Sequence, residues 1–417
     1  MRNKAINFLI HGNGSHGDVL PLIAIGRELQ TRGHAVHFFA DPYFIKHAQN
    51  AGLATTSITS GLYAETLRSH DLNDRLKMHN IISHSCVING ELGLKAMEKH
   101  LDQDKTIVTI CNKLAYSGRL MSDLHGCPNV TIHYAPYSIR SSISPPRYLP
   151  RAIKLPETAN KIYWWLMDVF FIDRVYTRPL NELRKKFGLK AVRRMFNKWM
   201  YDSEVQLGMF PDWYAQTQAD WPSHFQKTGF PLFDAGDGTL PANVQAFLDA
   251  GDKPIAFTAG TFNTKSDDFF EASVKACIQL GKRAMLISPS QEQIAQKLPE
   301  RMAHFSYVPF GALMPHIAAF VHHGGIGTLA QAMAAGIPQL IRPMFGDQFD
   351  NAQRLTNLGI AKEVLPVDYT PDNAAQTLKE LVDNRVYKQN SLLYAEKLKK
   401  ENGIGNACDA ILKKFTA

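Results

Sequence analysis

The stretch that most constrains this chain is AAFVHHGGIGTLAQAMAAGIPQLIRPMFGDQFDN, residues 318–351. Residues 318–322 are an apolar run without polar alternation, the pattern of a strand buried on both faces. Gly324, Gly325 and Gly327 follow, then a helical run opening at Thr328 and closed by Gly336 and Pro338. Strand, glycine loop and helix in that order make an anion site. The glycines let backbone approach a ligand, and the free N–H groups and dipole of the helix start point at it. With His322 and His323 just before the glycines, the pattern predicts a diphosphate clamp.

A chain of 417 residues exceeds one ordinary core and suits two domains, and 45% hydrophobic residues suffice to bury them. The boundary is placed in the loop near 230–240, giving domains 1–232 and 233–417, with the last helix able to pack back on the first. Five scattered cysteines without metal-ligand spacing fit buried thiols in a reducing compartment. The N-terminus has neither the apolar run nor the cleavage site of a signal peptide, and no segment reaches the ~18 apolar residues of a membrane span. The expected location is cytoplasmic. Net charge is +8, concentrated in a basic run at 184–198, but no nucleic-acid motif accompanies it.

The first half begins with a strand at 5–10, the loop His11-Gly12-Asn13-Gly14-Ser15-His16-Gly17-Asp18, a helix to Gly33 and a second strand at 35–40. Further buried strands are expected at 106–110 and 130–133, making a doubly wound α/β domain. His11, Asn112 and His133 fall at strand carboxyl ends, where such folds bind ligands. Gly12-x-Gly14-x-x-Gly17 with Asp41 after the second strand also fits a dinucleotide fingerprint, so an NAD-dependent oxidoreductase is the rival from another class. Against it, the anionic Asp18 at the loop mouth would repel a pyrophosphate. Asp18 is instead a candidate general base, or a helix N-cap, and His16 is a second candidate base.

Residues 135–200 change character. A proline-marked loop leads into an aromatic helix around 162–175 with Trp164, Trp165, Phe170 and Phe171, followed by the basic run. This segment reads as ordinary packing, as an apolar wall for a greasy acceptor, or as an interfacial helix in peripheral contact with a membrane.

The second half repeats β/α alternation, and several of its motifs form a pattern: the DWP and TGFP junction, the strand-end turn Thr258-Ala-Gly-Thr261, and VPFGALMPHIAAFVHHGGIGTLAQAMAAGIPQLIRPMFGDQFDNAQRL. With GDVLPLIAIGRELQTRGHAV in the first half, the chain resembles the inverting, nucleotide-sugar-dependent glycosyltransferases of the GT-B fold. The resemblance is closest to the branch of bacterial rhamnosyltransferases of glycolipid synthesis, sterol glucosyltransferases and antibiotic glycosyltransferases.

It implies two facing Rossmann-like domains with an interdomain cleft. His323, Gly325, Gly327 and Thr328 would bind the donor diphosphate, with Thr261 from the neighbouring turn. Val308 would face the base, and Asp347 and Gln348 would hydrogen-bond the sugar. Asp18 would be the base for a single inverting displacement. His133, Trp164, Trp165 and Phe170 would line the acceptor side. No cofactor or metal is implied beyond a UDP- or dTDP-sugar co-substrate. Glucose or rhamnose would pass to a lipid or hydroxy fatty acid, or else to a polyketide, terpenoid or phenol. The sequence departs from the pattern at Ile110-Cys-Asn112-Lys113, which offers no carboxylate to pair with a histidine base, and at Phe310, where many relatives carry glutamine.

Overall fold

Every strand expected from an unalternating apolar run lies in one of two all-parallel sheets. The computed structural model describes residues 6–58, 75–149, 155–233, 238–260, 263 and 265–416. The chain divides into two units. The first comprises Met1–Pro146, Ile153–Phe233 and Asn402–Ala417; the second comprises Arg147–Ala152 and Asp234–Glu401.

The first unit holds β1 (Ile6–His11), β2 (Ala35–Ala40), β3 (Ala54–Ser57), β4 (Thr106–Asn112), β5 (Asn129–His133), β6 (Val205–Gly208) and β7 (Phe225–Lys227). Their order is β3-β2-β1-β4-β5-β6-β7. Phe8 of β1 pairs with Val36 on one side and Val108 on the other, and Phe8 and Ile10 are fully buried. Each such side chain contributes ~1.5–3 kcal/mol of burial, and Asn7, the polar residue within the run, is the position of β1 that is only half-buried. The helices are α1 (His16–Thr31), α2 (Pro42–Asn50), α3 (Arg75–Glu98), α4 (Ser117–His125), α5 (Glu157–Met167) and α6 (Arg178–Lys186). Between α5 and α6 the chain winds as a π-helix, Asp168–Thr177.

The second unit holds β8 (Ile255–Thr258), β9 (Ala284–Ile287), β10 (Met302–Phe305), β11 (Ala319–His322), β12 (Gln339–Ile341) and β13 (Ala361–Glu363), ordered β10-β9-β8-β11-β12-β13. Its helices longer than one turn are α7 (Ala242–Asp249), α8 (Asp267–Leu280), α9 (Ile326–Ala334), α10 (Gln348–Asn357), α11 (Pro371–Asp383) and α12 (Arg385–Leu398). The last helix, α13 (Gly403–Phe415), belongs to the first unit: Arg32 pairs with Asp409 at 2.5 Å and Asn406 Nδ2 donates to Thr228 O at 3.0 Å.

Both sheets are Rossmann-like. In each, strand order reverses beside the first strand, between β1 and β4 and between β8 and β11. Ligands of such sheets sit outside the strand carboxyl ends at that reversal, and one glycine loop of the sequence falls at each.

Candidate active site

In the second unit, β11 ends at His322, and α9 starts at Ile326 with Gly325 as N-cap. The helix therefore begins two residues before Thr328, which takes the third helical position. Glycine lowers helix propensity, so the pattern of apolar residues hides the first turn. Gly325 supplies no side-chain cap, leaving the first-turn N–H groups of Ile326, Gly327 and Thr328 without an intrahelical acceptor.

His322 and His323 have different roles. His322 is buried, with Nε2 against Gln339 Oε1 at 2.8 Å and Nδ1 accepting from Gly324 N at 3.0 Å; it shapes the turn. The His323 ring is wedged between two glycines. A Cβ on Gly260 would lie 2.7 Å from its Cε1, and one on Gly325 would lie 2.6 Å from its Nε2. Gly260 also has φ +87°, a region open to glycine. His323 Nδ1 is buried without a hydrogen-bond partner, and burial lowers the ring's pKa to about 4. At neutral pH the imidazole is uncharged and keeps one N–H to donate.

The loop after β12 is tied to this turn. Asn351 Nδ2 donates to Gly324 O at 2.9 Å and to Asp347 Oδ2 at 2.7 Å, and Asp347 is the N-cap residue of α10. Gln348 Oε1 accepts from Met344 N at 2.7 Å and Phe345 N at 3.2 Å, so its carbonyl serves its own loop and only the amide nitrogen is left for a ligand. Val308, expected to face a base, is 2% exposed and packs in the core with Phe305 and Leu313, so its side chain cannot present itself to a ligand. Its neighbour Tyr307 is the exposed one. Thr261 lies outside the described residues.

The first glycine loop is built differently. Ser15 is the N-cap of α1, and Asp18 occupies the third helical position of a capping box rather than the N-cap. Asp18 Oδ2 accepts from Ser15 N and Ser15 Oγ, both at 2.8 Å. Tyr134 Oη holds the Asp18 carbonyl at 2.7 Å. Gly14, at φ +122°, lets the carboxylate lie across the loop: a Cβ there would sit 2.6 Å from Asp18 Oδ2. Burial raises the Asp18 pKa, and the Ser15 hydrogen bonds oppose that rise. The loop is stitched from beneath by Asn112, which accepts from Asn13 N at 3.1 Å and donates to Asn13 O at 2.7 Å, and by Asn89 Nδ2 to Asn13 Oδ1 at 2.9 Å.

This geometry leaves no room for a pyrophosphate in the Gly12–Gly17 loop, because a carboxylate fills it. Asp41, the residue a dinucleotide ribose would need, caps α2 by accepting from Tyr43 N at 3.0 Å. His16 points away from Asp18's hydrogen bonds, into the aromatic face of α2. Its ring packs edge-on to Tyr43 and Phe44, its Nε2 is 3.3 Å from Tyr43 Oη, and burial followed by His47 lowers its pKa to about 4.

His133, expected on the acceptor side, is buried with both ring nitrogens engaged, by Ser138 Oγ at 3.0 Å and Gln206 Oε1 at 2.7 Å; it is a structural polar group of β5. Trp164 donates to Ser141 O at 3.1 Å and lies under Arg140 at 4.7 Å. Trp165 and Phe170 are exposed. Ser15, Asn351 and Gly260 were missed as functional positions. The spacing Ser15-x-x-Asp18 and the i,i+4 pair Asp347–Asn351 were the available signals.

Comparison with known proteins agrees with this architecture. Residues 8–89 match the glycosyltransferase family 28 N-terminal domain, and residues 283–404 match the C-terminal domain of erythromycin biosynthesis protein CIII-like proteins. An uncharacterized glycosyltransferase of Mycobacterium tuberculosis is 27% identical over 373 residues, covering 86% of each chain. A sterol 3-beta-glucosyltransferase of Saccharomyces cerevisiae is 25% identical over 440 residues, 98% of this chain and 35% of that one. Among solved structures, the glycosyltransferase of kitacinnamycin superposes with a TM-score of 0.75 at 20% identity, over 99% of this chain and 100% of that one. The glycosyltransferase VinC, in complex with dTDP, gives 0.69 at 18%, over 99% and 100%.

The chain has the fold of the GT-B glycosyltransferases, and its relatives in sequence include glycosyltransferases. Within that class its first half carries the family 28 signature and its second half the CIII-like one; no finding supports an oxidoreductase.

Proposed function

We propose that the enzyme is an inverting, metal-independent hexosyltransferase that uses a UDP- or dTDP-sugar, glucose or rhamnose, and glycosylates a hydroxyl on an apolar acceptor. The observation that carries this reading is the uncapped start of α9 beside a neutral imidazole wedged between Gly260 and Gly325. Oriented N–H groups and the positive helix end, equivalent to ~+0.5 charge, stabilise charge that develops on a leaving diphosphate. That supports departure without a metal ion. Asp347 and the Gln348 amide are suited to sugar hydroxyls.

Asp18 supplies the base. Ser15 occupies Oδ2, leaving Oδ1 for the acceptor hydroxyl, and the raised pKa strengthens the carboxylate as a proton acceptor. The acceptor oxygen attacks the anomeric carbon as Asp18 takes its proton. The bond to the diphosphate breaks on the opposite side, and the negative charge passes to the leaving group. Trp164, half-buried and held by Ser141 O, is the proposed apolar wall; Trp165 and Phe170, expected beside it, are exposed. Lipids such as hydroxy fatty acids fit it, as do polyketide, terpenoid or phenol acceptors; relatives include a sterol glucosyltransferase.

A thermal-shift series with UDP-glucose, dTDP-glucose, dTDP-rhamnose and NAD tests the donor. A sugar nucleotide raising Tm through the folded state is expected. Stabilisation by NAD alone would overturn the proposal.

A further inference from the structure

We propose that the exposed face of α5 and the π-helix after it is a docking surface for an anionic lipid bilayer. The apolar half of this face is Ile162, Trp165, Leu166, Val169 and Phe170, at 60%, 49%, 41%, 37% and 56% exposure. Their spacing is i, i+3, i+4, i+7, i+8, which is one side of a helix, and contiguous exposed apolar area of this kind marks an interaction surface. Charge selects the occupant. Residues 155–198 carry ten lysines and arginines against four acids, a surplus of six out of the chain's net eight. Arg184 is buried against Asp123, but Lys161, Arg174, Arg178, Lys185, Lys190 and Arg193 are exposed.

The winding aligns the two halves. In an α-helix each step of four residues turns ~40° round the axis, so a stripe from Leu166 through Phe170 to 174 and 178 would drift off its face. Winding as π over Asp168–Thr177 closes each turn one residue later and offsets that drift. The Arg174 guanidinium accordingly lies 5.9 Å from the Phe170 ring centroid. Arg178, Lys185 and Arg193 then border an open hollow of about 500 Å³, with Asp173 and Glu182 as its acids. Asp173 accepts from Arg194 N and Glu182 pairs with Arg178, so the cations outnumber the acids there. An apolar stripe that contains an indole and is continued by cations matches the acyl boundary and phosphate layer of an anionic membrane. Among the described residues no helix is long and apolar enough to cross one.

The test is vesicle flotation of the full chain without donor, so its failure is separable from failure of the transfer reading. The wild type is expected to float with phosphatidylcholine–phosphatidylglycerol vesicles at 0.1 M salt and not with pure phosphatidylcholine. Leu166→Glu/Val169→Glu should lose at least ~10-fold of that binding, and Arg174→Gln/Arg178→Gln several-fold. Brominated lipid should quench wild-type tryptophan emission and quench Trp165→Phe less, a readout that needs no charged variant to fold. A wild type that stays unbound overturns the proposal. So does equal binding to neutral vesicles, or unchanged flotation of the folded Leu166→Glu/Val169→Glu variant. A dimer that this variant converts to monomer, with no flotation, would make the face a self-association surface instead.

Discussion

The two glycine loops of this chain have nearly the same plan and opposite contents. Each follows the first or the central strand of a parallel sheet, at the reversal of strand order, and each feeds a helix. In the first, the helix brings its own anion: Asp18 lies over Gly14 and takes both hydrogen bonds that Ser15 can give. In the second, the N-cap is a glycine with no side chain, and a neutral imidazole lies against it. A loop that has already satisfied its helix dipole is fit to present a carboxylate; one that has not is fit to receive an anion. Glycine spacing alone does not distinguish them, but the residue at the third helical position does.

The largest effect expected from breaking this contrast is at Asp18. Asp18→Asn keeps the shape and hydrogen-bond capacity but removes the base, so transfer should fall ~10²–10⁴-fold with nucleotide affinity unchanged, measured as initial rate beside calorimetric Kd. Surviving transfer would move the role to His16. Next is His323→Ala, expected to weaken UDP or dTDP binding by ~10–100-fold, the worth of a hydrogen bond to a charged partner at about 1.5–3 kcal/mol, read by the same calorimetry. Asn112→Ala should lower stability by about 2 kcal/mol in urea unfolding, because it strands the buried Asn13 N and O groups.

Rate and stability depend on pH with the same sign. Transfer needs the Asp18 carboxylate, so its rate should fall as pH drops through a pKa raised above the ordinary 3.8. Stability should also fall on acidification. Burial lowers His11 and His322 to about 3 and His133 to about 4, below the 6.5 of the unfolded chain. Their contribution is whole above pH 6.5 and is lost as pH falls toward those values, which a Tm series from pH 7.5 to 4.5 would register. Smallest of all, chelation with EDTA should leave transfer unchanged.

Much of this was legible in the residues. Unalternating apolar runs marked β1, β4, β5, β8 and β11, and the glycine loops with Pro338 and Asp18 located the two turns that matter. What was not legible depends on partners far away in sequence. Val308 was expected to face a base, but packing buries its side chain. His133 looked available until Gln206 and Ser138 closed both its nitrogens. Gln348 turned its carbonyl inward to two backbone N–H groups of its own loop. β7 and β13 span only three residues each, too few for a periodic signal. The π winding leaves no mark in composition, and the pairing of Arg147 with Glu363 at 2.6 Å joins residues 216 apart.

The central claim, that the second loop and not the first holds the diphosphate, is tested most directly by adding one methyl group to each. Calorimetry of UDP and dTDP should show binding lost in Gly325→Ala, whose Cβ would meet His323 Nε2 at 2.6 Å. Binding should be kept in Gly14→Ala, where φ +122° and the Asp18 side chain at 2.6 Å confine the strain to the first loop. Full affinity in Gly325→Ala with loss in Gly14→Ala would contradict the account.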